Sequence, residues 1–274
     1  MRNPTMNIDS FAGSPARHTI ARGDRSMRNI SKLVSLAAAV AGLSLSTHAS
    51  AVPNLACAAQ NFDSTATPSL PSGWSSTVDK GALTTKAFVT RGVGYSDTGA
   101  NTAWVDDTND FADISLYSAV YGVVNIGVTP TVSFRHSYVL WAPDAGPSYN
   151  GAYDGGVLEV SINGGDFTDI TASGGAITSG GYSTYLDSSF DNPIAQAPLN
   201  PARSVWSGNS GGFKTVSVRI PTTAFNGTVQ FRWRLGTEGG GRAYDTHAGW
   251  WIDSLDYTAL GDVIFRDGFD GACP

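Results

Sequence analysis

The first place to look for a nucleophile is Gly208-Asn209-Ser210-Gly211-Gly212, which fits G-x-S-x-G. That spacing can present a serine on a tight turn, but the hydrolase elbow needs a strand before it and a helix after it. Here a β-prone run follows, Thr215 to Ile220, and no helix-forming segment is available. A triad also needs a histidine base. Beyond residue 51 the chain has only His136 and His247. His136 shares one face of the alternating run TVSFRHSY with Val132, Phe134 and Tyr138, the pattern of a core histidine. There is no HExxH, no CxxC, no phosphate-binding loop and no dinucleotide fingerprint. Lyase chemistry built on Tyr138, Arg232, Arg234 and His247 is not demanded by their spacing. Arg232 and Arg234, outward residues of VQFRWRL, read as a solvated strand face. An extracellular hydrolase or lyase acting on polymer is therefore the secondary reading.

Two other residue sets could do chemistry. Asp253 follows Trp250, Trp251 and Ile252 in an apolar run, and a carboxylate buried there needs a cation or several donors. The second set is aromatic. Trp141, Tyr149, Tyr153, Tyr182, Tyr185, Trp206, Tyr244 and His247 fall in or beside glycine- and proline-rich loops. Exposed aromatic faces stack on sugar rings, while buried ones cap a core. Trp141, Tyr149, Tyr153, Tyr244 and His247 are the expected ligand-binding set.

The elements that must position these residues are strands. In YDGGVLEVSINGG, residues 153–165, Leu158, Val160 and Ile162 alternate with Glu159 and Ser161, the period of a half-buried strand. Asp154-Gly155-Gly156 and Asn163-Gly164-Gly165 bracket it, and such glycines supply the positive φ of tight turns. Further strands are expected at Asn101 to Asp107, Leu116 to Val128, Thr131 to Tyr138, Thr215 to Ile220, Val229 to Leu235 and Trp250 to Tyr257. Gly174 to Pro201 is a long irregular stretch, either functional or braced by short strands of its own. Many short strands, abundant glycine and no helix after residue 51 predict an all-β fold, a single sandwich of antiparallel sheets.

The chain has 274 residues. Residues 1–26 read as an upstream leader or a start-site artefact. Residues 27–51 read as a signal peptide, with a basic start at Met27, an apolar run from Leu33 to Leu45 and the cleavage motif Ala49-Ser50-Ala51. The sandwich is expected over 52–260, with a C-terminal tail over 261–274. Residues 1–51 carry six Lys/Arg and two Asp/Glu, leaving eleven basic against twenty-one acidic residues and a net charge of −10 beyond them. Such a surface argues against nucleic acid and anionic membrane as partners. No other long apolar run exists, so no membrane insertion is expected. Export makes a disulfide between Cys57 and Cys273 permissible; unpaired thiols and pairing between chains are the alternatives.

The ordered series FDSTATPSLPSGW, TVSFRHSY, YDGGVLEVSINGG, VWSGNSGGF, VQFRWRLGTE and GWWIDSLDY resembles bacterial exported jelly-roll modules. These are the MAM-like or galactose-binding-like domains attached to immune inhibitor A-type peptidases and to surface proteins. The resemblance implies a jelly-roll β-sandwich and a structural calcium ion between its first and last strands. Carried over by motif, the calcium ligands are Asp63 and Asp253, with Asp106 or Asp107 added. It also implies a secreted or cell-surface binding or adhesion module, with an extracellular glycan or surface protein as partner. A purely structural surface protein is the remaining alternative.

Overall fold

A computed structural model describes residues 59–92, 95–125, 127–143, 151–187, 189–195, 202–239 and 248–262. The expected leader and signal peptide lie outside the described residues, as do Cys57, Cys273, Tyr149, Tyr244 and His247. The strands in chain order are β1 (Ser75–Lys80), β2 (Val89–Arg91), β3 (Thr102–Val105), β4 (Phe111–Val123), β5 (Thr131–Leu140), β6 (Gly155–Ile162), β7 (Thr168–Asp169) and β8 (Ala176–Ser179). They continue as β9 (Thr184–Tyr185), β10 (Ser204–Val205), β11 (Gly208–Asn209), β12 (Lys214–Arg219), β13 (Thr228–Glu238), β14 (Gly249–Thr258) and β15 (Leu260–Asp262). One 3-10 turn, Thr222–Ala224, is the helical element among the described residues.

Two antiparallel sheets form the expected sandwich. One runs β1-β4-β13-β6-β7, with β15 also on β4; the other runs β2-β3-β14-β5-β12-β8, with β11 also on β5. The strand from 229 to 235 sends Val229, Phe231, Trp233 and Leu235 inward, each fully buried. From the facing sheet come Val132 and Phe134 of β5 and Trp250 and Ile252 of β14, with His136 of β5 buried beside them. The rings meet edge to face across the layers, with Phe134 and Trp233 centroids 5.5 Å apart, a geometry that aromatic quadrupoles favour. His136 is a core residue, as its alternation implied. It accepts the Trp250 indole N–H at Nδ1 (3.3 Å) and touches the Trp206 ring edge-on.

Two sequence readings change in detail, and a third is resolved between its alternatives. The expected strand from Leu116 begins at Phe111 instead. Asp113 interrupts its apolar run, but Arg234 on the neighbouring strand takes that carboxylate in a fork at 2.8 and 2.6 Å, so the strand continues through it. The stretch from Gly174 is braced by strands of its own, β8 on β12 and β9 on β10. The glycines flanking β6 serve different purposes. Asn163 and Gly164 do adopt positive φ, 54° and 73°, as a tight turn requires. Gly155 and Gly156 do not: they lie in the strand because large residues press on them. A Cβ on Gly156 would sit 2.6 Å from the Trp250 ring, and one on Gly155 2.7 Å from the Val205 side chain.

Candidate functional site

The described acids and aromatics fall into three places. The first is the bulge in β14, where pairing with β5 slips between Asp253 and Asp256. Ser254 takes φ 50° there, and the backbone of Leu255 exchanges hydrogen bonds with Gln60 at 3.0 and 2.8 Å. Bulges re-aim side chains, and this one brings Asp253 against the 97–101 loop. Asp253 accepts backbone N–H groups from Asp97, Thr98 and Ser254. Asp63 accepts those of Ala100 and Asn101 at 2.7 and 2.9 Å, with the Asn61 amide on its other oxygen. Burial pushes the Asp253 carboxyl up to about 6, against the pull of those amides. Arg135 closes the cluster in a two-point pairing with Asp97, at 3.0 and 2.8 Å.

The structure thus brings Asp63 and Asp253 to one loop, but each carboxylate is already met by N–H donors. Calcium needs six to eight oxygens, and an amide-filled carboxylate offers few free lone pairs. Asp106 is not part of this cluster. It lies beyond the end of β3, near Arg91 and Lys86; the residue is exposed overall, but partial desolvation of its carboxyl raises it against the pull of those cations. Among the described residues no group of three or more His, Cys, Asp and Glu forms a metal cluster.

The second place is the outer face of the β4-β13-β6 sheet. Arg232 and Arg234 are not a solvated face. Glu159, whose side chain is 4% exposed, is gripped by Arg203 at 2.6 Å and by Arg232 Nε at 2.6 Å, with Arg234 at 3.5 Å. The Arg232 guanidinium also lies 4.5 Å from the Phe167 ring centroid. Burial of one acid among three guanidinia makes this a structural ion network. It presents no acid–base pair to a substrate.

The third place is the rim where β5 ends and β6 begins. Trp141 and Tyr153 are bound through their backbones, since the Trp141 carbonyl accepts the N–H groups of Tyr153 and Asp154 at 3.2 and 3.0 Å. Their rings touch with centroids 4.5 Å apart. Phe190 extends the row, 4.4 Å from Tyr153, and is 39% exposed. The row stands on a braced base. Ala152 exchanges backbone bonds with Tyr185 and Asp187, and the Asn192 amide ties the Tyr153 and Gly236 carbonyls at 2.7 and 2.9 Å. Of the expected ligand set, Trp141 and Tyr153 come together here. Phe190 was missed by the sequence reading, although an isolated aromatic in the polar run SSFDN was a usable signal. Trp206 is instead core, and Tyr182 packs on it at 4.6 Å with its hydroxyl held by Asp169.

Ser210 has no catalytic setting among the described residues. Its Oγ accepts the Tyr138 N–H and pairs with Ser137, which in turn pairs with Tyr95. His136, the one described histidine, faces the indole of Trp250 instead, and burial lowers it to about 3.

Fold and rim together define an all-β sandwich carrying a loop-borne aromatic row. No family model matches the chain, and no curated protein does. Solved structures that the chain resembles include the K1 cleaved adhesin domain of Lys-gingipain from Porphyromonas gingivalis W83, at 13% identity and a TM-score of 0.39, covering 74% of this chain and 98% of that one. The K2 cleaved adhesin domain of Lys-gingipain gives 14% and 0.37, with coverage of 73% and 96%. A carbohydrate-binding module of the β-sandwich superfamily gives 11% and 0.33, covering 73% of this chain and 60% of that one.

Proposed function

We propose that this protein is an exported binding or adhesion module and that the Trp141–Tyr153–Phe190 row is its contact surface for extracellular glycan. The observation that carries the reading is the row itself: three partly exposed aromatic residues, with the Tyr153 ring in contact with both Trp141 and Phe190, held on a hydrogen-bonded base. Large aromatics left at a surface usually mark a contact. Such rings offer flat apolar faces to the C–H faces of pyranose rings. A polar neighbour flanks the row, with exposed Asp191 next to Phe190. It suits a ligand that alternates apolar faces and hydroxyls. The net charge of −10 beyond residue 51 favours neutral over anionic sugars.

The test is a glycan array followed by titration of the best hit, read by intrinsic tryptophan fluorescence. Tyr153→Ala and Phe190→Ala should each weaken binding about tenfold or more, a loss of roughly 1.4 kcal/mol, with the melting temperature little changed. Binding unaffected by both substitutions would sink the assignment of the row. Capture of a surface protein with no glycan hit would transfer the row to protein adhesion.

A further inference from the structure

We propose that Arg91, lying over the indoles of Trp104 and Trp251 on the outer face of the β2-β3-β14-β5 sheet, forms a carboxylate-binding site for a uronate-bearing glycan. The site goes beyond the rim reading and stands without it. Ala103 and Val105 of β3 and Trp250 and Ile252 of β14 point into the core, so Trp104 and Trp251 point out. These two tryptophans are in register across the strands, with ring centroids 5.5 Å apart. The Arg91 guanidinium lies 4.1 Å from the Trp104 centroid and 5.3 Å from that of Trp251. Cation–π attraction holds it there, half-buried on the rings.

What sets Arg91 apart is its missing acid. Arg135 pairs with Asp97, Arg203 and Arg232 with Glu159, and Arg234 with Asp113. Arg219 is exposed. Arg91 is the described arginine that packs on rings yet makes no ion pair or side-chain hydrogen bond among the described residues. Asp106 is near it, but Lys86 acts on the same carboxylate, so two cations face one acid. That leaves a local positive surplus in a chain that is acidic as a whole. The rings have already taken the freedom of the Arg91 side chain, so its fork of N–H donors meets a carboxylate at two points with little further ordering. The surroundings choose the ligand. Trp251 meets Tyr95 at 4.9 Å, and Tyr95 meets Phe213 at 5.5 Å. The hydroxyls of Tyr95, Ser137 and Ser210 run alongside. Successive ring planes are tilted by 39°, 65° and 36°, which makes no flat platform and suits a short oligosaccharide. A uronate carries a carboxylate and an apolar ring face in one residue. A peptide would supply them from two side chains and pay the ordering of both.

The experiment titrates the purified full chain by calorimetry with galacturonate, glucuronate and mannuronate trisaccharides, each beside its neutral methyl ester. At least one acid should bind about tenfold or more tighter than its ester, the size of a charge-assisted contact, and the difference should shrink as salt is raised. Arg91→Gln should erase the preference for the acid. Arg91→Lys keeps the charge but not the fork, and should reduce the preference. Tyr153→Ala should leave it as it is, so the rim reading and this one fail separately. If Arg91→Gln does not fold, Arg91→Lys decides. A chain that prefers no acid over its ester, or a preference that survives the Arg91 substitutions, overturns the site. Hexaglutamate binding that depends on Arg91, with no uronate bound, overturns the glycan and makes the face a protein contact.

Discussion

At the scale of single residues, the partner a buried polar group meets decides how it behaves. His136 is the sharpest case. Its ring is enclosed by Phe134, Trp206 and Trp250, and Nδ1 already accepts an indole N–H. Protonating that nitrogen would set donor against donor in an apolar setting. Burial accordingly lowers the histidine from 6.5 to about 3. The unfolded chain takes up its proton near pH 6.5 and the folded chain does so only near pH 3. Below pH 6.5 the unfolded state therefore binds more protons, and stability falls as pH falls through that window. The slope is about 1.4 kcal/mol per pH unit, so roughly 3 kcal/mol is lost between pH 6.5 and 4. His136→Gln keeps an acceptor for Trp250 but cannot titrate. Urea denaturation across pH 4 to 7 should show the wild type losing stability toward low pH relative to this variant by about that amount. Parallel curves for the two proteins would show that the site is open to water.

At the scale of elements, the β14 bulge and the 97–101 loop are held together by carboxylates acting as acceptors for the loop's backbone. Gly99 has φ 58°, and a Cβ there would collide with the Asp63 carboxylate. Asp63→Ala leaves the Ala100 and Asn101 N–H groups without their acceptor, at a cost of about 1–3 kcal/mol. Hydrogen exchange should speed up in residues 97–101 and at Gln60 and Leu255, while the β13 amides stay protected. Uniform acceleration along the chain would mean that Asp63 acts on global stability and not on the loop. The same cluster marks the limit of what local sequence can tell. The inward sets of β5, β6 and β13 were readable because one alternating strand carries its own period. Asp253 was recognisable as a buried acid from its neighbours Trp250 to Ile252. Its partners, 155 and 156 residues away, leave no local pattern. Nor does the Glu159 network, in which Arg232 and Arg234 alternate as a solvated face would until a buried acid on β6 meets them. The Gly155-Gly156 pair misled for a related reason: Gly156 answers the Trp250 ring on the opposite sheet and Gly155 the Val205 side chain, both far away in sequence. At the rim, Trp141 and Tyr153 were legible as loop aromatics. Arg91 was not legible as a site, because the indoles beneath it belong to β3 and β14.

At the scale of the whole molecule, the two sheets are joined by an aromatic chain that leaves polar atoms with few choices. Trp233 sits at its centre, stacked on Trp74 at 5.7 Å and edge-on to Phe134 at 5.5 Å. It is fully buried. Its indole N–H has no hydrogen-bond partner among the described residues. Two terms of opposite sign therefore meet at one side chain. The ring fills the space between the sheets, and removing it leaves a cavity that costs about 3–5 kcal/mol in Trp233→Ala. An orphaned buried N–H weakens the native state by about 1–3 kcal/mol. Trp233→Phe loses part of the ring and all of that penalty, so the two changes should nearly cancel, to within about 1 kcal/mol. Equilibrium denaturation of the two variants separates the terms. The alanine variant should lose several kcal/mol in a single cooperative transition, because Trp233 touches both layers and cannot loosen one sheet alone. The phenylalanine variant should stay close to wild type. A phenylalanine variant as weak as the alanine one would mean that the indole N–H is satisfied in solution. The aromatic chain would then owe its stability to a polar contact as well as to packing.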